Sequence, residues 1–338
     1  MERSLPVTAE AVVTLCVASG TLTVRGWDKS EIRVRSLDAT QLDFRRIDKI
    51  KDTPASRVDV MVLNKSTGVN PKLDCQAIAD VEMEVPAGAT VQVQTRDGDI
   101  SIAGVAAAYA GSQNGDIMIE RATKLVEAGS VGGSILLRDS SGRVFLNSAG
   151  GGVEVINVRA ATEEDTLEVG TVSGDIRLDR IGNPRVTAKT VNGAITMSGP
   201  LAKTGWYGFT NMAGDILLAM PHDASFKLNA KVSDQHDIVS DFVLKYLTEA
   251  TPPKPPTVIK PKAETKIKTP ETKSKTPEAK STPKAPPAPK AGPVIAPIVV
   301  ERPMSMHYMP RRVSAVCGSG DATISIASFG GTVRLKKI

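Results

Sequence analysis

The sequence predicts an all-β fold, a parallel β-helix-like solenoid with two strands per coil, and three observations predict it. Glycine-centred turns recur along the chain, as in "RDGDISI", "QNGDIMI", "VSGDIRL" and "MAGDILL". Each turn is followed by apolar residues at alternate positions. A second, weaker alternating run follows about ten residues further on.

The turn glycines are Gly98, Gly115, Gly133, Gly152, Gly174, Gly193 and Gly214, separated by 17, 18, 19, 22, 19 and 21 residues. A self-similar period near twenty marks a solenoid, in which no coil can bury its apolar face alone. The alternating pairs are Ile100/Ile102, Ile117/Ile119, Ile135/Leu137, Val153/Val155, Ile176/Leu178, Ile195/Met197 and Ile216/Leu218. Period two means strand, with these side chains on one face. The second strand shows as Val126/Ala128/Ser130, Val144/Leu146/Ser148, Leu167/Val169/Thr171, Val186/Ala188/Thr190 and Tyr207/Phe209/Asn211. The turn glycines are expected to supply positive φ at the corner. Asp97, Asn114, Ser141, Ser173 and Asn192 beside them are turn formers. The following Asp99, Asp116, Asp175, Asp215 and Asp321 are expected to cap turns along a solvated edge rather than hold calcium, which needs six to eight oxygens.

Residues 1–95 are less regular and are expected to form an N-terminal β cap, since a first coil needs protection from edge pairing. "TLTVRGWDKSEIRVRS" reads as two strands around a turn, and "RVDVMVL" and "DVEMEVPAGATVQVQT" alternate well. Trp27 is read as a packing anchor. "AVVTLCVA" (Ala11–Ala18) loosely resembles a lipoprotein signal. Glu10 abuts it, its apolar run is short and Leu15 precedes Cys16, so it is read as a strand. No signal peptide or membrane span is visible. The solenoid repeats are placed at 96–247.

From 248 to 311 the chain turns to Pro, Lys, Thr, Ala and Glu, which predicts a disordered linker. Ten Lys and three Glu between residues 251 and 300 give it a net +7, so the remainder carries −2 of the overall +5. The basic balance thus belongs to one segment, and no nucleic-acid footprint is expected on the folded body. Residues 312–338 return to the repeat grammar with Gly320, Ile324/Ile326, Gly331 and Val333/Leu335, and are expected to form the final coil.

No catalytic constellation, cofactor or metal is expected. Cys16, Cys75 and Cys317 are too widely spaced for a zinc signature. They are small buried hydrophobes or, for Cys16 and Cys75 in an oxidising compartment, a disulfide. His222, His236 and His307 sit in unrelated contexts and read as surface or loop residues. No nucleophile elbow, phosphate loop or dinucleotide fingerprint is present. Among the outward residues Ser101, Met118, Leu136, Glu154, Arg177, Thr196 and Leu217, Met118 and Leu136 fall on adjacent coils about 4.8 Å apart. They are the candidate partner patch.

The stretches "LTVRGWDKSEIRV", "VEMEVPAGATVQVQT" and "GGTVRLKKI", with the repeated G-D-I turns, carry a resemblance to the bacterial putative-adhesin family of β-strand repeats of unknown function. It covers roughly Leu15–Leu247 and Arg312–Ile338. The resemblance implies a β-solenoid at the cell envelope or surface, with a polymer or protein as partner. The family has no agreed catalytic residues, so none is carried over, and the Lys/Pro-rich insertion departs from its pattern. The leading expectation is a non-enzymatic binding, adhesive or scaffolding solenoid. The alternatives are an intracellular scaffold that self-associates through its solenoid edges, resembling bactofilins, and a carbohydrate-active β-helix enzyme.

Overall fold

A computed structural model describes residues 1–39, 41–48, 54–63, 75–233, 237–247 and 311–338. The expected linker lies largely outside these residues, as do His236 and His307. Among the described residues every regular element is a β-strand.

Seven strands precede the repeat: β1 (Glu2–Ser19), β2 (Leu22–Trp27), β3 (Glu31–Arg35), β4 (Gln41–Arg46), β5 (Ala55–Leu63), β6 (Val81–Pro86) and β7 (Thr90–Asp97). The repeat then alternates short and longer strands. They are β8 (Ile100–Ala103), β9 (Ala107–Ser112), β10 (Ile117–Glu120), β11 (Leu125–Ser130), β12 (Ile135–Arg138), β13 (Arg143–Ser148), β14 (Val153–Val158), β15 (Thr166–Ser173), β16 (Ile176–Ile181), β17 (Arg185–Asn192), β18 (Ile195–Ser198), β19 (Trp206–Ala213) and β20 (Ile216–Met220). The C-terminal elements are β21 (Phe226–Val232), β22 (Ile238–Ser240), β23 (Lys245–Tyr246), β24 (Arg311–Cys317), β25 (Ala322–Ser328) and β26 (Val333–Lys337).

Even-numbered strands from β8 to β20 pair in parallel with the next even strand, and odd-numbered strands from β7 to β19 with the next odd one. Two parallel sheets therefore face each other, and each coil gives one strand to each. The alternation read from the sequence holds in both. Ile176 and Leu178 are buried to 1% and 0% exposure, while Arg177 between them is exposed. In the facing sheet Val186 and Ala188 are buried. The core is a continuous aliphatic strip, with Tyr207, Phe209 and Phe226 filling its C-terminal end.

Chain order and spatial order diverge at both ends. β1 lies between β5 and β7, and β2 lies between β6 and β8. The first coil is thus inside the stack, and the outer cover is antiparallel: β4 on β5, β3 on β6, and the start of β1 on β3. The expected N-terminal cap therefore holds only for part of 1–95. The C-terminal end repeats the device. β25 lies between β19 and β21, and β26 between β20 and β22. Residues 312–338 do form a coil, but the expectation that it is the final one is corrected: β21 and β22 lie outside it, and β24 and β23 add antiparallel strands beyond β21. The physical reason is that β25 and β26 are apolar at alternate positions and are satisfied on both edges, as an internal coil must be.

Cys16 and Cys75 form a disulfide that ties β1 to the residues before β6. Trp27, read as a packing anchor, is half-buried. Its indole N–H donates to the Glu31 carbonyl at 2.9 Å, and Lys29 and Arg33 lie 4.8 Å from its ring.

Candidate binding groove

One corner of every coil is built on a column of glycines. A Cβ on Gly115 would lie 1.9 Å from the Gly98 carbonyl oxygen, and Gly133, Gly174, Gly193, Gly214 and Gly331 meet the carbonyl one coil below in the same way. Close approach of neighbouring coils, not positive φ, demands glycine along most of this column. Only Gly214 and Gly331 of those six have a left-handed φ, +115° and +120°. Two of the expected turn glycines fall elsewhere. Gly151, not Gly152, occupies the column. Gly320 instead turns the chain from β24 into β25, with φ +76°. At residues 150–152 three glycines run together, so sequence spacing alone does not choose between them.

Buried hydroxyls hold the column from inside. Ser130 Oγ accepts from the Gly133 amide at 2.9 Å and donates to the Gly115 carbonyl at 3.0 Å, one coil back. Ser112 and Ser148 make the same pair of bonds, and Thr171 and Thr190 the inter-coil bond. The sequence shows these residues only as ends of the second strand. Carboxylates hold the column from outside. Asp99 accepts from the Asp116 amide at 2.9 Å, Asp116 from Ser134 at 2.7 Å, and Asp175 from Ala194 at 2.8 Å. These aspartates cap turns, as expected.

The opposite corner is left-handed without needing glycine. Arg121, Asp139, Asn157 and Arg180 have φ between 49° and 53°, at matching levels between Gly104 and Gly199. No shared residue type marks this position, so the sequence does not announce it.

On the outer face of the even-numbered sheet, Ser101, Met118, Leu136, Glu154 and Arg177 stand in one register row. Met118 and Leu136 are direct cross-strand partners, as their spacing predicts. They form the floor of a groove of about 570 Å³. Asp99, Asp116 and Asp175 rim it on the side of the glycine corner, and Glu154 and Arg177, 3.8 Å apart, close one end. The volume falls in the range of small-ligand sites. An apolar floor with an acidic rim offers contact to a cationic, partly apolar group. Nearby, Asp97 is held below the usual carboxylate range, first by the Asn114 side-chain amide at 2.6 Å and then by Arg96. Among the described residues no group of three or more His, Cys, Asp and Glu is placed to share a metal ion. His222 is exposed in a turn after β20.

A solved structure from Clostridium sporogenes described as a "putative cell adhesion protein" aligns over 100% of this chain and 99% of its own, at 8% identity and a TM-score of 0.24. Comparison with curated proteins gives no match. The signature of the Toastrack DUF4097 family matches residues 12–251, well over half of the sequence, and the chain belongs to that family.

Proposed function

We propose that this chain is a non-enzymatic β-solenoid module of the cell envelope or surface that binds or scaffolds through its exposed sheet faces. The observation behind this reading is the groove over Met118 and Leu136 with its aspartate rim. Its carboxylates already accept backbone amides of the next coil, which suits a rigid contact surface better than proton transfer. The Cys16–Cys75 disulfide supports an oxidising compartment. Antiparallel strands over β5, β6 and β21 speak against end-to-end growth, because they occupy edges that a stacking copy needs.

The test is fractionation of tagged protein from its native host, combined with thiol labelling. The expected result is an envelope or surface fraction in which Cys16 and Cys75 are oxidised. Recovery in the cytosol with both thiols reduced overturns the proposal. Turnover of a polysaccharide panel that is lost on replacing one groove carboxylate overturns its non-enzymatic part.

A further inference from the structure

The odd-numbered sheet bears a second depression, about 300 Å³ in volume. Its floor is Gly111 and Gly129, register partners on β9 and β11. The same row continues to Gln94 on one side and Asn147 on the other. Tyr109, Glu127 and Phe145 form a parallel row two residues away on each strand, also in register, and wall the depression.

The fold does not require these two glycines. A Cβ on Gly111 would meet nothing nearer than Gln94 Cγ at 3.8 Å, and one on Gly129 nothing nearer than the Asn147 carbonyl oxygen at 3.8 Å. Neither has a left-handed φ. Elsewhere on this face the space over a glycine is filled by a side chain. A Cβ on Gly170 would lie 2.5 Å from Asn147 Oδ1, and one on Gly208 2.4 Å from the Trp206 ring. Glycine inside a strand weakens it, and where the backbone does not demand it, it marks close approach by something else. At Gly111 and Gly129 no described residue occupies the space.

The lining says what fits. Phe145 is 42% exposed and offers an aromatic face to a ligand. Phe145 and Tyr109 are two coil spacings apart, about 10 Å, the span of two linked sugar rings. Gln92, Gln94 and Asn147 each offer a donor and an acceptor on one amide, matching neighbouring hydroxyls that do both. Glu127 supplies the sole charge of the lining, so an anionic polymer is disfavoured. A proline-rich peptide presents mainly carbonyls and would leave half of each amide idle.

We propose that this glycine-floored trough binds a neutral glycan chain lying along the solenoid axis, with sugar faces against Tyr109 and Phe145 and hydroxyls on Gln94 and Asn147. The proposal deepens the surface-binding reading and rests on it for its setting.

The experiment is calorimetric titration of the full chain with neutral chito- and cello-oligosaccharides, alongside a synthetic peptide of residues 281–293. Gly129→Leu fills the trough without straining the backbone, and Phe145→Ala removes one wall. The expected result is binding of at least one oligosaccharide, weakened tenfold or more by Phe145→Ala and abolished by Gly129→Leu, with both variants melting as the parent does. Three outcomes overturn the proposal: no oligosaccharide binds, binding is indifferent to both substitutions, or the peptide binds the trough in place of the sugars. Should either variant fold poorly, Tyr109→Ala and Asn147→Ala are read in the same way. Failure here with the protein still found at the envelope defeats only the glycan assignment. A cytosolic location with glycan binding intact defeats only the surface reading.

Discussion

The backbone amide of Thr332 donates to the carboxylate of Asp215 at 2.7 Å, across 117 residues of sequence. It is the same bond that Ser134 makes to Asp116 between consecutive coils. The C-terminal segment thus reproduces the local rules of the repeat on a strand far from it in the chain. Because β25 and β26 are paired on both edges, cutting the chain should not release them. A protease site introduced between residues 251 and 303 and then cleaved should leave residues 311–338 co-eluting with the body on native size exclusion. Elution of the fragment alone would contradict the pairing.

Ile176 and Arg177 test the facing of the sheets. Ile176→Asp places an unpaired carboxylate in the apolar strip and should cost about 3 kcal/mol or more. Arg177 makes a solvent-exposed ion pair with Glu154, and Arg177→Asp should cost under about 0.5 kcal/mol. Chemical denaturation reads both, and equal midpoints would refute the assignment.

Gly151 and Gly152 separate close approach from turn preference. A Cβ on Gly151 would lie 2.2 Å from the Gly133 carbonyl oxygen, whereas on Gly152 the nearest atom, the Asp175 oxygen, is at 3.2 Å. Gly151→Ala should therefore destabilise by about 2 to 3 kcal/mol, and Gly152→Ala by about 1 kcal/mol or less. Thermal unfolding of the pair gives the order, and a reversed order would place the column on Gly152.

The Cys16–Cys75 bond closes a loop with a sequence separation of 59. Cys75→Ser should lower stability by about 2 to 4 kcal/mol, and reducing agent should lower the parent's melting temperature but not the variant's. A parent whose melting ignores reductant would show the bond to be absent in solution.

Asp97 gives a pH signature. Its folded pKa lies below the ordinary value, chiefly through the Asn114 amide. Its contribution to stability is therefore present above the unfolded pKa and is lost as pH falls through the folded one. Asn114→Ala should raise the Asp97 titration midpoint towards the ordinary carboxylate value. Carboxyl-carbon NMR would read this shift, and an unmoved midpoint would assign the depression to Arg96.

The strands were legible wherever period two was strong, as at Ile176/Leu178 and Ile324/Ile326. The Met118–Leu136 contact was legible because parallel coils convert a sequence spacing into a distance. Pairing between segments remote in the chain was not, since nothing in "AVVTLCVA" states that it lies between β5 and β7. The left-handed corner escaped because Arg121, Asp139, Asn157 and Arg180 share a backbone angle and no side-chain chemistry. The glycine-floored trough escaped because the alternation in the second strand passes over Gly111 and Gly129, and only the fold shows that no described residue fills the space above them.

The tucked-in coils at the two ends set an order on folding. β1 precedes β5 and β7 in synthesis, yet only its first residues, Glu2 to Pro6, find a partner in β3, and the rest has none until β5 and β7 exist. β25 and β26 are made after β21 and β22, and must enter between those strands and β19/β20. The slot therefore has to stay open, or reopen, until residues 322–337 have been made. Such late, long-range closure is slow, because loop entropy is lost before the contacts that repay it form. It also leaves unpaired strand edges exposed in any truncated chain. Synthesis of residues 322–337 and closure of the solenoid thus become a single kinetic event, and a product terminated before residue 322 carries the open slot and its unpaired edges.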